Sequence, residues 1–230
     1  LNLLALFAGI GALELGLERS GMMVVGQVEI DPFCRQILSK HWPDVPKHDD
    51  VRTAVEWWES EQRPRVDAIC GGFPCQPFSQ LGRRRGIADE RWGWPWMRAV
   101  IDAVRPRYVV VENVAALLRD TEAFSIILGD LSDLGFDAEW DVVSACSVGA
   151  PHTRERLFVL AYPKGGGGEL GGRIELTRNG DSQRHLHHWE SQPEPHRVAD
   201  GIARRMDRNR AIGNAVVPQV AELIGRRIVA

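Results

Sequence analysis

No stretch of the 230-residue chain approaches the ~20 consecutive apolar residues of a membrane span, and no basic flank precedes its opening hydrophobic stretch. A cytoplasmic protein with no membrane contact is therefore expected. Cysteine is scarce. Four residues without Cys-x-x-Cys spacing argue against a disulfide framework or a zinc site and suit a reducing compartment. His185, His187 and His188 cluster, but no Cys or carboxylate stands with them at ligand spacing, so no metal is expected. Net positive charge is missing too. With 28 basic against 31 acidic side chains the formal charge is -3, so contact with a polyanion would rest on local clusters. Two exist, Arg83 to Arg85 and the run from Arg204 to Arg210.

What is present is the composition of an ordinary globular chain, 44% hydrophobic and 26% charged, with length for one sizeable α/β domain. Leu1 to Phe7 is an apolar run of strand length, broken by Gly9 and Gly11 before a helical pattern from Leu13 to Leu17. Strand, glycine turn and helix open a nucleotide-binding α/β unit. The dinucleotide fingerprint Gly-x-Gly-x-x-Gly is absent, because the glycines fall at Gly9, Gly11 and Gly16, and this argues against NAD. Met22 to Val28 reads as a second strand ending in Glu29-Ile30, and Asp31-Pro32 supplies an N-cap and first-turn proline to the next helix. An acid at that strand end is where α/β folds hold a ribose; a plain exposed strand end is the competing reading. Buried strands are expected at Val66 to Cys70, Tyr108 to Val111 and Leu157 to Ala161. Helices are expected at Met97 to Val104 and Thr121 to Leu134, a strand pair at Phe136 to Ser147, and a last helix from the Gly213 region through Ile228. The sum is a single α/β domain, a mostly parallel twisted sheet with helices on both faces.

Within this frame the stretch Gly71-Gly72-Phe73-Pro74-Cys75-Gln76-Pro77-Phe78-Ser79 stands apart. Gly71-Gly72 lets the backbone leave its strand in conformations closed to other residues, and Pro74 and Pro77 fix φ on either side of Cys75. A thiol held this way is placed as a nucleophile. Cys34, Cys70 and Cys146 read instead as buried packing residues. Glu112 follows the apolar run Tyr108 to Val111, at the carboxyl end of a central parallel strand where α/β active sites form. Arg154 and Arg156, two apart on an extended segment, face the same side and can reach one small site. Gln80 to Arg91 has no apolar periodicity and reads as a loop carrying Arg83, Arg84 and Arg85. Trp92, Trp94 and Trp96 read as packing at its hinge, with Trp94 the one facing a cofactor. After Pro163 the sequence turns glycine-rich and polar, a linker composition.

The nonapeptide resembles the Pro-Cys-Gln motif of the DNA cytosine-5 methyltransferases, and further motifs occur in that family's order. Leu6-Phe7-Ala8-Gly9-Ile10-Gly11 looks like the loop that wraps S-adenosylmethionine, with Ala12 replacing a usual glycine and Ala5 where many relatives carry an acid. Glu29-Ile30, Asp50-Val51, Glu112-Asn113-Val114, the Arg154/Arg156 segment with His152 for a glutamine, and Gly213-Asn214-Ala215-Val216 follow. The resemblance implies an S-adenosylmethionine-dependent methyltransferase fold of the Rossmann-like kind. It implies that Phe7, Ala8, Gly9, Ile10, Gly11, Val51, Pro74, Asn214 and Ala215 contact the cofactor, that Glu29 binds its ribose, that Ile30 packs on adenine, and that Asp50 accepts from the adenine amino group. Cys75 would add to C6 of a flipped cytosine, Glu112 would meet N3, Arg156 would hold O2, and Arg154 would orient Glu112 or neighbouring phosphates. Gln76, Ser79, Arg83, Arg84 and Arg85 would contact DNA.

One part of the family pattern is missing. Between the two-arginine segment and the last motif, relatives place a target-recognition domain, whereas this chain offers only Tyr162 to Ile212. The expected division is a catalytic and cofactor-binding domain at 1–162, a short glycine-rich insert at 163–200, and a segment at 201–230 completing the catalytic domain. Expected partners are DNA and either a cognate restriction system or a protein supplying target recognition. Two alternatives stay open: a tRNA cytosine-5 methyltransferase, whose Cys-Phe-Thr signature is not found, and a non-catalytic DNA-binding remnant.

Overall fold

The computed structural model describes residues 1–74, 92–166 and 212–229. Among them seven strands form one sheet: β1 (Asn2–Leu6), β2 (Met23–Val28), β3 (Lys47–His48), β4 (Ala68–Gly71), β5 (Tyr108–Val114), β6 (Phe136–Ser144) and β7 (Glu155–Pro163). Their order is β3-β2-β1-β4-β5-β7-β6, parallel throughout except that β7 runs antiparallel to both neighbours. The order reverses between β1 and β4. In open α/β sheets a crevice forms at such a switch point, outside the carboxyl ends of the strands.

The helices are α1 (Ala12–Arg19), α2 (Pro32–His41), α3 (Ala54–Glu59), α4 (Trp94–Val104), α5 (Thr121–Asp133) and α6 (Pro218–Val229). Alternation along β1 sorts the core. Leu3 and Ala5 face a cluster with Leu13 and Leu17 of α1 and Val220, Ala221 and Ile224 of α6. Leu4 and Leu6 face the other, with Met97, Val100 and Ile101 of α4 and Ile127 and Leu131 of α5. Each face of the sheet is thus covered by helices, as a near-continuous apolar parallel sheet requires. Gly16 permits the α1–α6 contact: a Cβ there would overlap the Pro218 carbonyl and lie 2.5 Å from the Ala221 Cβ.

Local signals explain the helix starts. Asp31 caps α2 by accepting from the Phe33 and Cys34 amides, at 2.8 and 3.3 Å, with Pro32 at its first position. Asp120 caps α5 through the Ala123 amide at 3.0 Å. Three expectations are corrected. The strand pair expected over Phe136 to Ser147 is one strand, β6, followed by a 3-10 turn at Ala145–Val148. Its hairpin partner is β7, beyond Gly149, whose φ of +82° closes the turn. The loop before Asp49 contains the two-residue edge strand β3, too short to leave a pattern. Cys146, expected to be buried, is exposed on the 3-10 turn. No helix among the described residues is long and apolar enough to cross a membrane.

Candidate active site

The segments leaving β1, β2, β4 and β5 enclose a cavity of about 630 Å³, the size of small-ligand pockets. One wall is the loop after β1. Phe7 at φ +54°, Gly9 at +55° and Gly11 at +84° make it a run of left-handed residues that wraps tightly back onto the sheet. Such a conformation is strained for a non-glycine residue and concentrates at ligand-binding turns. Ala12, where the family has a glycine, is already the first residue of α1 and has no need of left-handed backbone.

Glu29 ties this loop to the end of β2. Its Oε2 accepts from the Gly9 amide at 2.6 Å and its Oε1 from the Asp31 amide at 2.8 Å. Burial raises the Glu29 carboxyl above its ordinary range, and those amides, together with Arg35, oppose the rise. A carboxylate has acceptor capacity beyond two amides, so this group can still take ligand hydroxyls. Ile30, 68% exposed, presents an apolar side chain to the same cavity. Asp50 and Val51 lie on the wall beyond it. Asp50, not Asp49, caps the following 3-10 turn, through the Arg52 amide at 2.9 Å. The Arg52 guanidinium also donates to both Asp50 carboxylate oxygens and holds that carboxyl below the usual range.

The opposite wall carries Glu112. Gly72 has no Cβ to obstruct it; one built there would lie 2.6 Å from Glu112 Oε2. Arg156 Nε sits 3.0 Å from Glu112 Oε1. Burial pushes the Glu112 carboxyl up to about 7, against the pull of Arg156 and Arg154. Asn113 links the two central strands, donating from Nδ2 to the Phe73 carbonyl at 3.2 Å while its Oδ1 accepts from the Val114 amide at 2.8 Å.

The cavity thus gathers Phe7 to Ile10, Glu29, Ile30, Asp50, Val51, Pro74, Glu112, Arg156, Asn214 and Ala215, residues scattered over the whole sequence. Gly11 is not on its surface; it backs onto α2, where a Cβ would overlap the Trp42 ring. Arg156, rather than Arg154, is the arginine that pairs directly with Glu112. Arg156, opposite Val114 in the β5–β7 ladder, is the diagonal neighbour of Glu112 on one face, so it pairs with that carboxyl. Arg154 precedes β7 and its Nη2 donates to the Gly213 carbonyl at 2.8 Å, tying this corner to the last segment. Trp94 does not face the cavity. It opens α4, fully buried, with Nε1 donating to Asp130 Oδ2 at 2.7 Å, and two positions later on the helix Trp96 points the other way and lines the cavity. Cys75, Gln76, Ser79, Arg83, Arg84 and Arg85, the second arginine cluster and the three histidines lie outside the described residues.

Sequence reading missed Glu14 and Cys70 as cavity residues. For Glu14 a signal existed, since it stands on the buried stripe of α1 with Leu13, Gly16 and Leu17.

Residues 1–169 match the family model of the C-5 cytosine-specific DNA methylase. The chain is 34% identical over 168 residues to the type II methyltransferase M2.BsuMI of Bacillus subtilis (strain 168), covering 70% of this chain and 42% of that protein. It is 32% identical over 168 residues to the type II methyltransferase M.FnuDI of Fusobacterium nucleatum, covering 71% and 47%. The chain therefore spans under half the length of these curated relatives. Among solved structures, a prophage-encoded E. coli protein that carries the name of a DNA modification methyltransferase aligns with a TM-score of 0.63 at 26% identity, over 76% of this chain and 49% of that one. The Dnmt2 methyltransferase of S. pombe aligns at 0.59 and 22% identity, over 75% and 52%, and shares the fold. With its family model matched from Leu1 through β7 and beyond, the chain belongs to the C-5 cytosine-specific DNA methylase family.

Proposed function

We propose that the chain methylates C5 of cytosine in DNA, with S-adenosylmethionine as methyl donor. The observation that carries this reading is the pair of buried Glu112 with half-buried Arg156, facing the cavity beside Gly72-Phe73-Pro74, directly before Cys75 in the chain. The cavity suits the donor. Its volume fits a nucleoside with an amino-acid tail, Glu29 offers an anchored acceptor for ribose hydroxyls, and Ile30 offers an apolar surface for a purine. Phe7 to Ile10, Asp50, Val51, Pro74, Asn214 and Ala215 would complete the pocket, with Gly11 shaping the loop from behind. Bound there, S-adenosylmethionine supplies an electrophilic methyl carbon on a sulfonium.

Cytosine C5 is a weak nucleophile until electron density is pushed into the ring. The Cys75 thiolate adds to C6, and Glu112, a carboxyl that titrates near neutrality, gives a proton to N3 as the C5–C6 double bond opens. C5 would then take the methyl carbon as that carbon's bond to sulfur breaks, and the neutral thioether, S-adenosylhomocysteine, would leave. Loss of the C5 proton to a base expels Cys75 and restores the double bond, and the N3 proton returns to Glu112. Arg156 keeps Glu112 in place and turns its remaining donors toward the base; Arg154 holds the closing segment through Gly213. The base reaches the cavity only when unstacked from the duplex, at a cost of a few kcal/mol. Gln76, Ser79 and Arg83 to Arg85 would stabilise the open duplex.

The insert at 163–200 is short for a recognition domain, and 201–230 would close the catalytic domain against α1. DNA contact then falls mainly to backbone phosphates, and strict sequence choice to a restriction-system partner or another protein. Mass spectrometry of DNA and of tRNA after incubation with labelled S-adenosylmethionine tests the reading. Methyl on DNA cytosine C5 supports it; label on tRNA alone, or on neither, contradicts it.

A further inference from the structure

Beneath the loop after β1, three side chains stand level across three strands. Ala5 of β1 is in register with Gln27 of β2 on one side and with Cys70 of β4 on the other, so all three point to the α1 face. Above the small Ala5, the first turn of α1 places Glu14. Glu14 is 1% exposed and Gln27 is fully buried, and neither carboxyl oxygen of the first nor amide atom of the second completes a hydrogen bond of normal geometry among the described residues. A polar pair sealed from water and left unsatisfied is costly, and native cores rarely keep one without use. Here the pair is not simply core: Glu14 and Cys70 line the cavity proposed for the methyl donor.

Among the described residues, no positive charge acts on Glu14. The titratable groups that act on it or with it are Glu18 on the same helix, Glu29 at the end of β2 and the Cys70 thiol on β4, all anion-forming, while the Gln27 amide is neutral. Burial pushes Glu14 up to about 8 against the weaker pull of its own backbone amide and the nearby Gln27 amide, which approach it without completing hydrogen bonds of normal geometry, so at neutral pH it stands protonated beneath the cavity. The amino end of α1 is the other feature there. Gly11 caps it without a side-chain hydrogen bond, and Ala12 and Leu13 line the same cavity. Unsatisfied amides favour an anion, and a carboxyl one turn further along favours a cation.

We infer that Glu14, backed by Gln27, is a positioning residue that seats the α-ammonium of the donor's amino-acid tail, giving up its proton to solvent as the cation enters. The inference rests on the S-adenosylmethionine reading above. It sets a selectivity: ligands with the amino-acid tail gain an ion pair, and a tailless thionucleoside gains nothing.

Calorimetry on the full chain tests this with S-adenosylmethionine, S-adenosylhomocysteine and 5′-methylthioadenosine, between pH 6 and 7 in buffers of different ionisation enthalpy. The two tailed ligands are expected to release close to one proton and to bind about tenfold tighter per pH unit, and the tailless one to do neither. Glu14→Gln keeps the shape and removes the titration. In that variant proton release and its pH slope should vanish for the tailed ligands, their affinity at pH 7 should fall about tenfold or more, and the tailless ligand should bind as before. Gln27→Leu provides a second variant, expected to weaken tailed ligands while proton release persists. If both tailed ligands bind the parent chain and Glu14→Gln leaves affinity, pH slope and proton release unchanged, this inference is overturned and the donor reading stands. If neither tailed ligand binds the parent chain, the donor reading fails and takes the inference with it.

Discussion

Replacing Glu112 with Gln keeps the side chain's shape and removes its charge, and the structure fixes the sign of the result. In the folded chain burial lifts this carboxyl from 4.5 to about 7. The folded state therefore holds the proton more tightly than the unfolded state does. The stability linked to that proton is fully present below about pH 4.5 and is lost as pH rises to 7 and slightly beyond. At about 1.4 kcal/mol per pH unit, the loss amounts to about 3 kcal/mol. Gln does not titrate, so Glu112→Gln should match the parent near pH 4.5 and exceed it by about 2–3 kcal/mol at pH 8.5, while methyl transfer falls sharply. Urea denaturation of both proteins across this range gives the difference directly. A gap that does not change with pH, or a variant less stable at pH 8.5, would refute the claim that burial dominates over the Arg156 pairing.

The remaining predictions concern the pocket, the helix contact and DNA. Glu29→Ala frees the Gly9 and Asp31 amides and removes the proposed ribose acceptor, so S-adenosylmethionine affinity should drop by about 1–3 kcal/mol in calorimetry; parent-like binding contradicts the pocket drawn here. Gly16→Val forces α1 and α6 apart at Pro218 and Ala221 and should cost about 1–3 kcal/mol in denaturant titrations; an unchanged midpoint contradicts the close packing. DNA binding should be weak and steeply salt-dependent, and bisulfite sequencing of plasmid treated with the isolated chain should show little site preference. A single strict site of four or more bases would show instead that the short insert reads sequence.

The strong periodic elements were legible in the chain itself. Strands at Met23–Val28 and Tyr108–Val114 and the capped helix at Pro32–His41 follow from mainly apolar runs and from Asp31-Pro32, so their positions agree within a residue or a few. Much of the cavity wall was legible for another reason: Phe7 to Ile10, Glu29, Ile30, Pro74 and Glu112 sit at or just past the carboxyl ends of parallel strands, which the topology brings together, whereas Arg156 at the start of antiparallel β7 and Asn214 and Ala215 ahead of α6 join them from elsewhere. Short or context-made features were not legible. β3 is two residues long and exists only because β2 offers it an edge. That Arg156 and not Arg154 pairs with Glu112 depends on the β5–β7 register, which no local pattern reveals. Trp94 and Trp96 were separated by α4 starting three residues earlier than its apolar pattern suggests, which turned an expected ligand contact into a core residue bonded to Asp130. Glu14 was overlooked because a carboxylate in a helix's first turn ordinarily signals nothing more than favourable dipole placement.

The central claim is that Cys75 forms a covalent bond to cytosine C6 in a site where Glu112 handles the proton. Duplex DNA containing 5-fluorocytosine tests it most directly, because fluorine cannot leave C5 as a proton does and the adduct persists once the methyl group has been transferred. With S-adenosylmethionine present, peptide mass spectrometry should find the nucleotide, carrying the added methyl group, attached at Cys75, and no adduct should form with Cys75→Ser, which should still bind S-adenosylmethionine. Attachment at another residue, or methyl transfer at the parent rate by Cys75→Ser, would contradict the account.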